Sequence, residues 1–183
     1  MSSTYFPWAI KDTRHKVFIS YFHKDDQNYR NRFEKLFGNL FISKSVEPGD
    51  IDSDNSTEYI KRLVQEGFIS DASVVVVLVG PNTWKRKHVD WEISAGVNKK
   101  VGGYSGLMGL CLPNHSDYGR DKYNAELVPP RLVDNLKSGY AKFYDWTEEA
   151  NTIKARIEEA FKNRIDKSDK IDNSREQYKY NRD

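Results

Sequence analysis

Apolar positions along this chain switch between two periods. Val17-Phe18-Ile19-Ser20-Tyr21 is a short β-branched and aromatic run between polar residues, the pattern of a buried strand. After a polar break at His23 to Asp26, Tyr29, Phe33, Leu36 and Phe37 recur at the spacing of one helix face that stops near Gly38. Leu40-Phe41-Ile42 reads as a weaker strand, followed by a Pro-Gly and acid-rich loop from Ser43 to Asp54. Asn55 or Ser56 then caps a second helix, with Glu58 placed to support an Asn55 cap and Ile60, Leu63, Val64, Gly67 and Phe68 as the apolar face. Ser73 to Val79 is apolar on both faces, which puts it in the middle of a sheet covered on both sides. Gly80-Pro81-Asn82 ends it, and a helix is predicted from there to about Lys99. Strands near Gly106 to Leu112 and Ala141 to Tyr144 precede a last helix with Ile153, Ile157, Ala160 and Phe161 on one side.

Alternating β and α elements predict an α/β chain, doubly wound as a flavodoxin-like three-layer sandwich around a central parallel sheet, with its ligand site at the carboxyl ends of the strands. A length of 183 residues suits one domain, read here as 16–165 after an N-terminal arm, 1–15. Residues 166–183 offer only Ile171 and two tyrosines for burial and read as a mobile polar tail. Pro113 to Pro130 is too long for a neutral connector, which suggests a lid or an interface.

Composition narrows the function classes. With 38% hydrophobic and 13% aromatic residues the chain is globular, and 29 basic against 27 acidic residues, interleaved, leave no single-sign field for a nucleic-acid backbone. Cys111 is the only cysteine and lies in an apolar run, so a buried thiol and a reducing compartment are expected. Without a leader pattern or an apolar run near the roughly 20 residues of a membrane span, a cytoplasmic location is expected and no membrane partner.

The most informative stretch is Thr83 to Ile93. Taken as a helix, it buries Val89, Ile93, Gly96 and Val97 and puts Glu92 roughly 85° from the middle of that stripe, at the boundary between core and water. His88 and then Trp84 follow on the same flank, so a carboxylate lies beside flat rings, an arrangement suited to a ligand with a ribose and an aromatic base. Trp91, about 175° from the stripe, faces outward on this count and is a candidate contact for self-association. The plainer reading makes Glu92 a solvated charge, His88 a surface base and the two tryptophans packing residues. Asp50, Asp52 and Asp54 alternate like a calcium loop, but Asn55 and Lys61 stand where glycine and glutamate belong, and the histidines lack zinc spacing, so no metal is expected. Lys85-Arg86-Lys87 reads as a solvated helix start more readily than as a phosphate clamp, and no GxGxxG run supports a Rossmann grip.

This stretch, together with Val17 to Tyr21 and the loop Val46 to Asp52, resembles the TIR-like proteins of Thoeris antiphage systems over most of residues 16 to 162. The resemblance implies a TIR-like fold opened by an "FISY"-like strand, with Glu92 as the catalytic residue. It also implies NAD as substrate rather than cofactor, release of nicotinamide, and an ADP-ribose-derived, often cyclic signal for a partner effector in antiviral defence. Homo-oligomers through TIR-like contacts are a further implied partner. The chemistry suits the residue types: nicotinamide leaves neutral from a cationic ring, so one carboxylate suffices to stabilise the oxocarbenium charge. Phe22 and Trp84 are candidates to stack on the bases, and Ser20, His23 and Asp25 to bind ribose or phosphate. His88 replaces the aromatic expected four residues before Glu92, so stacking falls to imidazole or passes to Trp84. The alternative is a non-catalytic signalling module that works through self-association or nucleotide binding.

Overall fold

β-branched runs form the strands and amphipathic runs the helices, in the order β1 (His15–Ser20), α1 (His23–Phe37), β2 (Phe41–Lys44), α2 (Ser56–Gln65), β3 (Val74–Val79), α3 (Lys87–Gly96), β4 (Gly106–Cys111), α4 (Pro130–Lys137), β5 (Lys142–Asp145) and α5 (Ala150–Asp166). The computed structural model describes residues 14–51 and 53–183, so most of the expected N-terminal arm and Asp52 of the acidic loop lie outside the described residues.

The strands form one parallel sheet in the order β2-β1-β3-β4-β5. Every residue of β3 is buried because it lies between β1 and β4 and under helices on both faces, as its unbroken valine run required. On one face Phe33 and Phe37 of α1 pack with Ile153 and Ile157 of α5, and on the other Tyr59 and Leu63 of α2 pack with Trp91 and Ile93 of α3 and Leu132 of α4. This is the doubly wound, flavodoxin-like arrangement. Gly106 lets α5 lie close on β4, since a Cβ there would stand 1.9 Å from the Ala160 carbonyl oxygen. Cys111 is buried in β4, and burial pushes its thiol up to about 12. Among the described residues no helix is long and apolar enough to cross a membrane.

Four expectations change. The helix after β3 is interrupted: Thr83–Lys85 is a 3-10 turn, Arg86 is extended at φ −96° and ψ 119°, and α3 starts only at Lys87. A further helix, α4, begins with Pro130 at its first position, where a proline fits because that N–H has no helical partner. The segment before it is pinned: the His115 ring meets the Leu127 carbonyl at 3.1 Å, Asn124 N–H donates to Asp117 at 2.7 Å, and Gly119 N–H donates to Asp145 at 3.0 Å. The tail is not free either. Asp172 and Asn135 exchange hydrogen bonds of 2.8 and 3.0 Å, Arg175 makes a bidentate pair with Asp134, and Tyr178 is buried against α3. Polar groups hold this segment down together with the partly buried Ile171 and the buried Tyr178, and hydropathy alone does not register the polar contacts.

Candidate functional site

At the carboxyl edge of the sheet, β1 and β3 send their connections to opposite faces, and ligands of this fold type bind in the crevice so opened. Ser20 ends β1 at that point. Gly80 follows β3 and touches the first turn of α1, where a Cβ would stand 2.4 Å from Asp26 Oδ1. Asp26 is itself fully buried, hydrogen-bonded to Thr83 at 3.3 Å, and burial raises its carboxyl to about 6. That contact fixes the β3–α3 turn against α1.

Glu92 is 2% exposed, not at the boundary with water. Its Oε2 accepts a hydrogen bond from Ser20 Oγ at 2.6 Å and its Oε1 accepts one from Tyr59 OH at 2.7 Å. Burial raises its carboxyl from 4.5 to about 7, and the two hydroxyl donors offset only part of that rise. A group poised there changes protonation state near neutral pH. Tyr59 is buried too, and burial together with the Glu92 charge raises its phenol well above the ordinary value, so it stays a donor.

Tyr21, Phe22, His23, Lys24, Arg86, His88, Val89, Glu92 and Asn181 line a cleft of about 210 Å³, with the buried Glu92 among them. Its mouth is cationic and aromatic, with the Arg86 guanidinium 4.5 Å from the Phe22 ring centre and the exposed Lys24 beside it. His23 and His88 are both shifted down, chiefly by burial, and so are neutral at pH 7. His88 stacks on Tyr59 at 4.6 Å, meets Trp91 edge-on at 5.0 Å and contacts the Ser53 carbonyl at 3.2 Å through Nε2. A larger, shallow groove of about 710 Å³ runs along the tail, and Asn181 alone belongs to both hollows.

Of the residues singled out in the sequence, Phe22, His23, His88 and Glu92 line this cleft, and Ser20 reaches it through its bond to Glu92. Asp25 does not: it is exposed and accepts from Asn82 at 2.8 Å. Trp84 does not either, because the break at Arg86 takes it off the edge of α3, and Arg86 takes the place expected of it. Trp91 is 1% exposed rather than outward-facing, with its indole N–H donating to the Tyr178 carbonyl at 2.8 Å. It packs in the core with Tyr59 of α2 and under the tail, so it is not a contact surface for self-association. In the basic triplet the side chains diverge, Lys85 over the Trp84 ring, Arg86 over Phe22 and Lys87 to Asp54 at 2.7 Å. Among the described residues no group of His, Cys, Asp or Glu is arranged to hold a metal. Tyr59 went unread although it lies four residues before Leu63 and so on the same buried face. Nothing in the sequence pattern ties Asn181, ninety residues away, to α3.

A family model described as "Thoeris protein ThsB, TIR-like domain" matches residues 18–117, a span that contains Ser20, Tyr59 and Glu92 and ends before the tail. No curated protein matches the chain.

Proposed function

Because the chain belongs to the Thoeris ThsB TIR-like family, which gives it a place in antiphage defence, we propose that it cleaves NAD with Glu92 as the catalytic residue. One observation carries this reading: a residue with a buried carboxyl poised near pH 7, Glu92, lines a cleft at the carboxyl edge of the sheet. In the reaction the bond between ribose C1 and the nicotinamide nitrogen breaks, and the electron pair leaves with neutral nicotinamide. Ionised Glu92 stabilises the oxocarbenium charge left on the ribose, in a site where low dielectric strengthens the interaction. The ADP-ribose part then closes on one of its own nucleophilic atoms with loss of a proton, or takes up water. The cyclic product is the diffusible signal for a partner effector.

The cleft is smaller than the roughly 300 to 1,000 Å³ of ordinary ligand sites, so it takes the nicotinamide riboside end. The diphosphate then lies across the mouth against Arg86 and Lys24, with Phe22 beside a ring.

A second reading, a nucleotide-binding module without turnover, is favoured by one fact: both Glu92 oxygens already have partners within the chain. Purified protein incubated with NAD, alone and with lysate of phage-infected cells, separates the two. Free nicotinamide in either condition supports the enzyme, and none in both supports the module.

A further inference from the structure

α3 begins without a cap of its own. Arg86, the residue before it, makes no side-chain capping bond, and the Lys87 N–H is satisfied instead by Asn181 Oδ1 at 3.0 Å. That contact is part of a seam. Arg182 N–H donates to the Lys85 carbonyl at 2.9 Å, Tyr178 N–H donates to Asp90 at 2.9 Å, and the Trp91 indole donates to the Tyr178 carbonyl. Beneath it lies the buried pair of Asp90 and Arg131, at 2.8 Å, with Arg131 reaching on to Asn173 at 2.7 Å. The tail thus grips the helix that carries Glu92 along its length, and at its end lays Asn181 into the wall of the cleft beside Arg86 and Phe22.

We infer that the C-terminal segment is part of the nucleotide site, and that Asn181 is a binding residue for the dinucleotide. Its Oδ1 is committed to the Lys87 N–H, which leaves its amide NH2 as the neutral donor of a residue that lines the cleft together with Arg86. A neutral donor beside a cation suits a diphosphate or ribose hydroxyl. A carboxylate at the same place would cap the helix equally well but repel a phosphate.

This inference rests on the NAD reading, and calorimetric titration of full-length protein with NAD tests it apart from that reading. Wild type is expected to bind. Asn181→Ala should weaken binding on the order of tenfold, the value of one hydrogen bond. Asn181→Asp, which preserves the cap, should weaken it at least as much. Trp91 emission, which reports tail docking, should not change in Asn181→Asp. If Asn181→Asp binds NAD as wild type does, Asn181 is a helix cap only and the inference is wrong. Unchanged or tighter binding by Asn181→Ala also overturns it, the latter by making the tail a cover over the cleft. No binding by wild type overturns the NAD reading and this inference with it.

Discussion

Burying a carboxylate as deeply as Glu92 has a thermodynamic signature. With its carboxyl raised from 4.5 to about 7, the folded protein holds a proton that the unfolded chain gives up. The resulting stabilisation is complete below about pH 4.5 and is lost as the pH rises through about 7. Glu92→Gln removes that dependence while keeping an acceptor for Tyr59. Relative to wild type, the variant should gain stability on the order of 2 kcal/mol between pH 5 and pH 8 in denaturant titrations. A constant difference between the two proteins at all pH values would show that the carboxyl is not buried as described. Catalysis runs the other way. On the proposed reaction it is the ionised form that stabilises the oxocarbenium, so nicotinamide release should rise with pH through about 7. Tyr59→Phe removes one donor to the carboxylate, so the midpoint of that rise should move to higher pH, and a pH–rate profile with an unmoved midpoint would take Tyr59 out of the site. The sequence marked Glu92 through its neighbours but placed it at the core boundary. A wheel for one helix knows nothing of Ser20 and Tyr59, which arrive from β1 and α2 and close over it.

Among the elements, α3 carries most of the information and was only half legible. Its buried stripe of Val89 and Ile93 follows from spacing, whereas its late start at Lys87 follows from the extended Arg86, a backbone conformation that no periodicity announces. The tail is the larger omission. Its composition is that of a solvated strand of chain, yet Asp90 and Arg131, 2% and 1% exposed, give it a fixed charged base to bind. Arg131→Ala would leave Asp90 buried without its cation and should destabilise the fold by about 3 to 5 kcal/mol, read from chemical unfolding. It should also speed hydrogen exchange at Tyr178, whose N–H donates to the same carboxylate. A loss of less than about 1 kcal/mol, as for exposed pairs, would mean that the pair is not desolvated.

For the molecule as a whole, the parallel doubly wound sheet was legible, because a strand of five valines and one leucine, apolar on both faces, belongs at its centre and β–α alternation leaves few topologies. The location of the site at the carboxyl edge followed from the fold. Its membership followed in part: Phe22, His23, His88, Glu92 and, through its bond, Ser20 were named from the sequence, whereas Lys24, Arg86, Tyr59 and Asn181 join them only through tertiary packing. Arg86→Ala removes the cation at the mouth and should raise the NAD concentration for half-maximal nicotinamide release by about tenfold while leaving the maximal rate nearly unchanged. A loss confined to the maximal rate would place Arg86 at the reacting bond instead. The most direct measurement is nicotinamide release from NAD at pH 8 by wild type and by Glu92→Gln, with folding of the variant checked by its melting temperature. A folded variant slower by on the order of a hundredfold or more is the predicted result. Equal rates in the two proteins would contradict a catalytic Glu92.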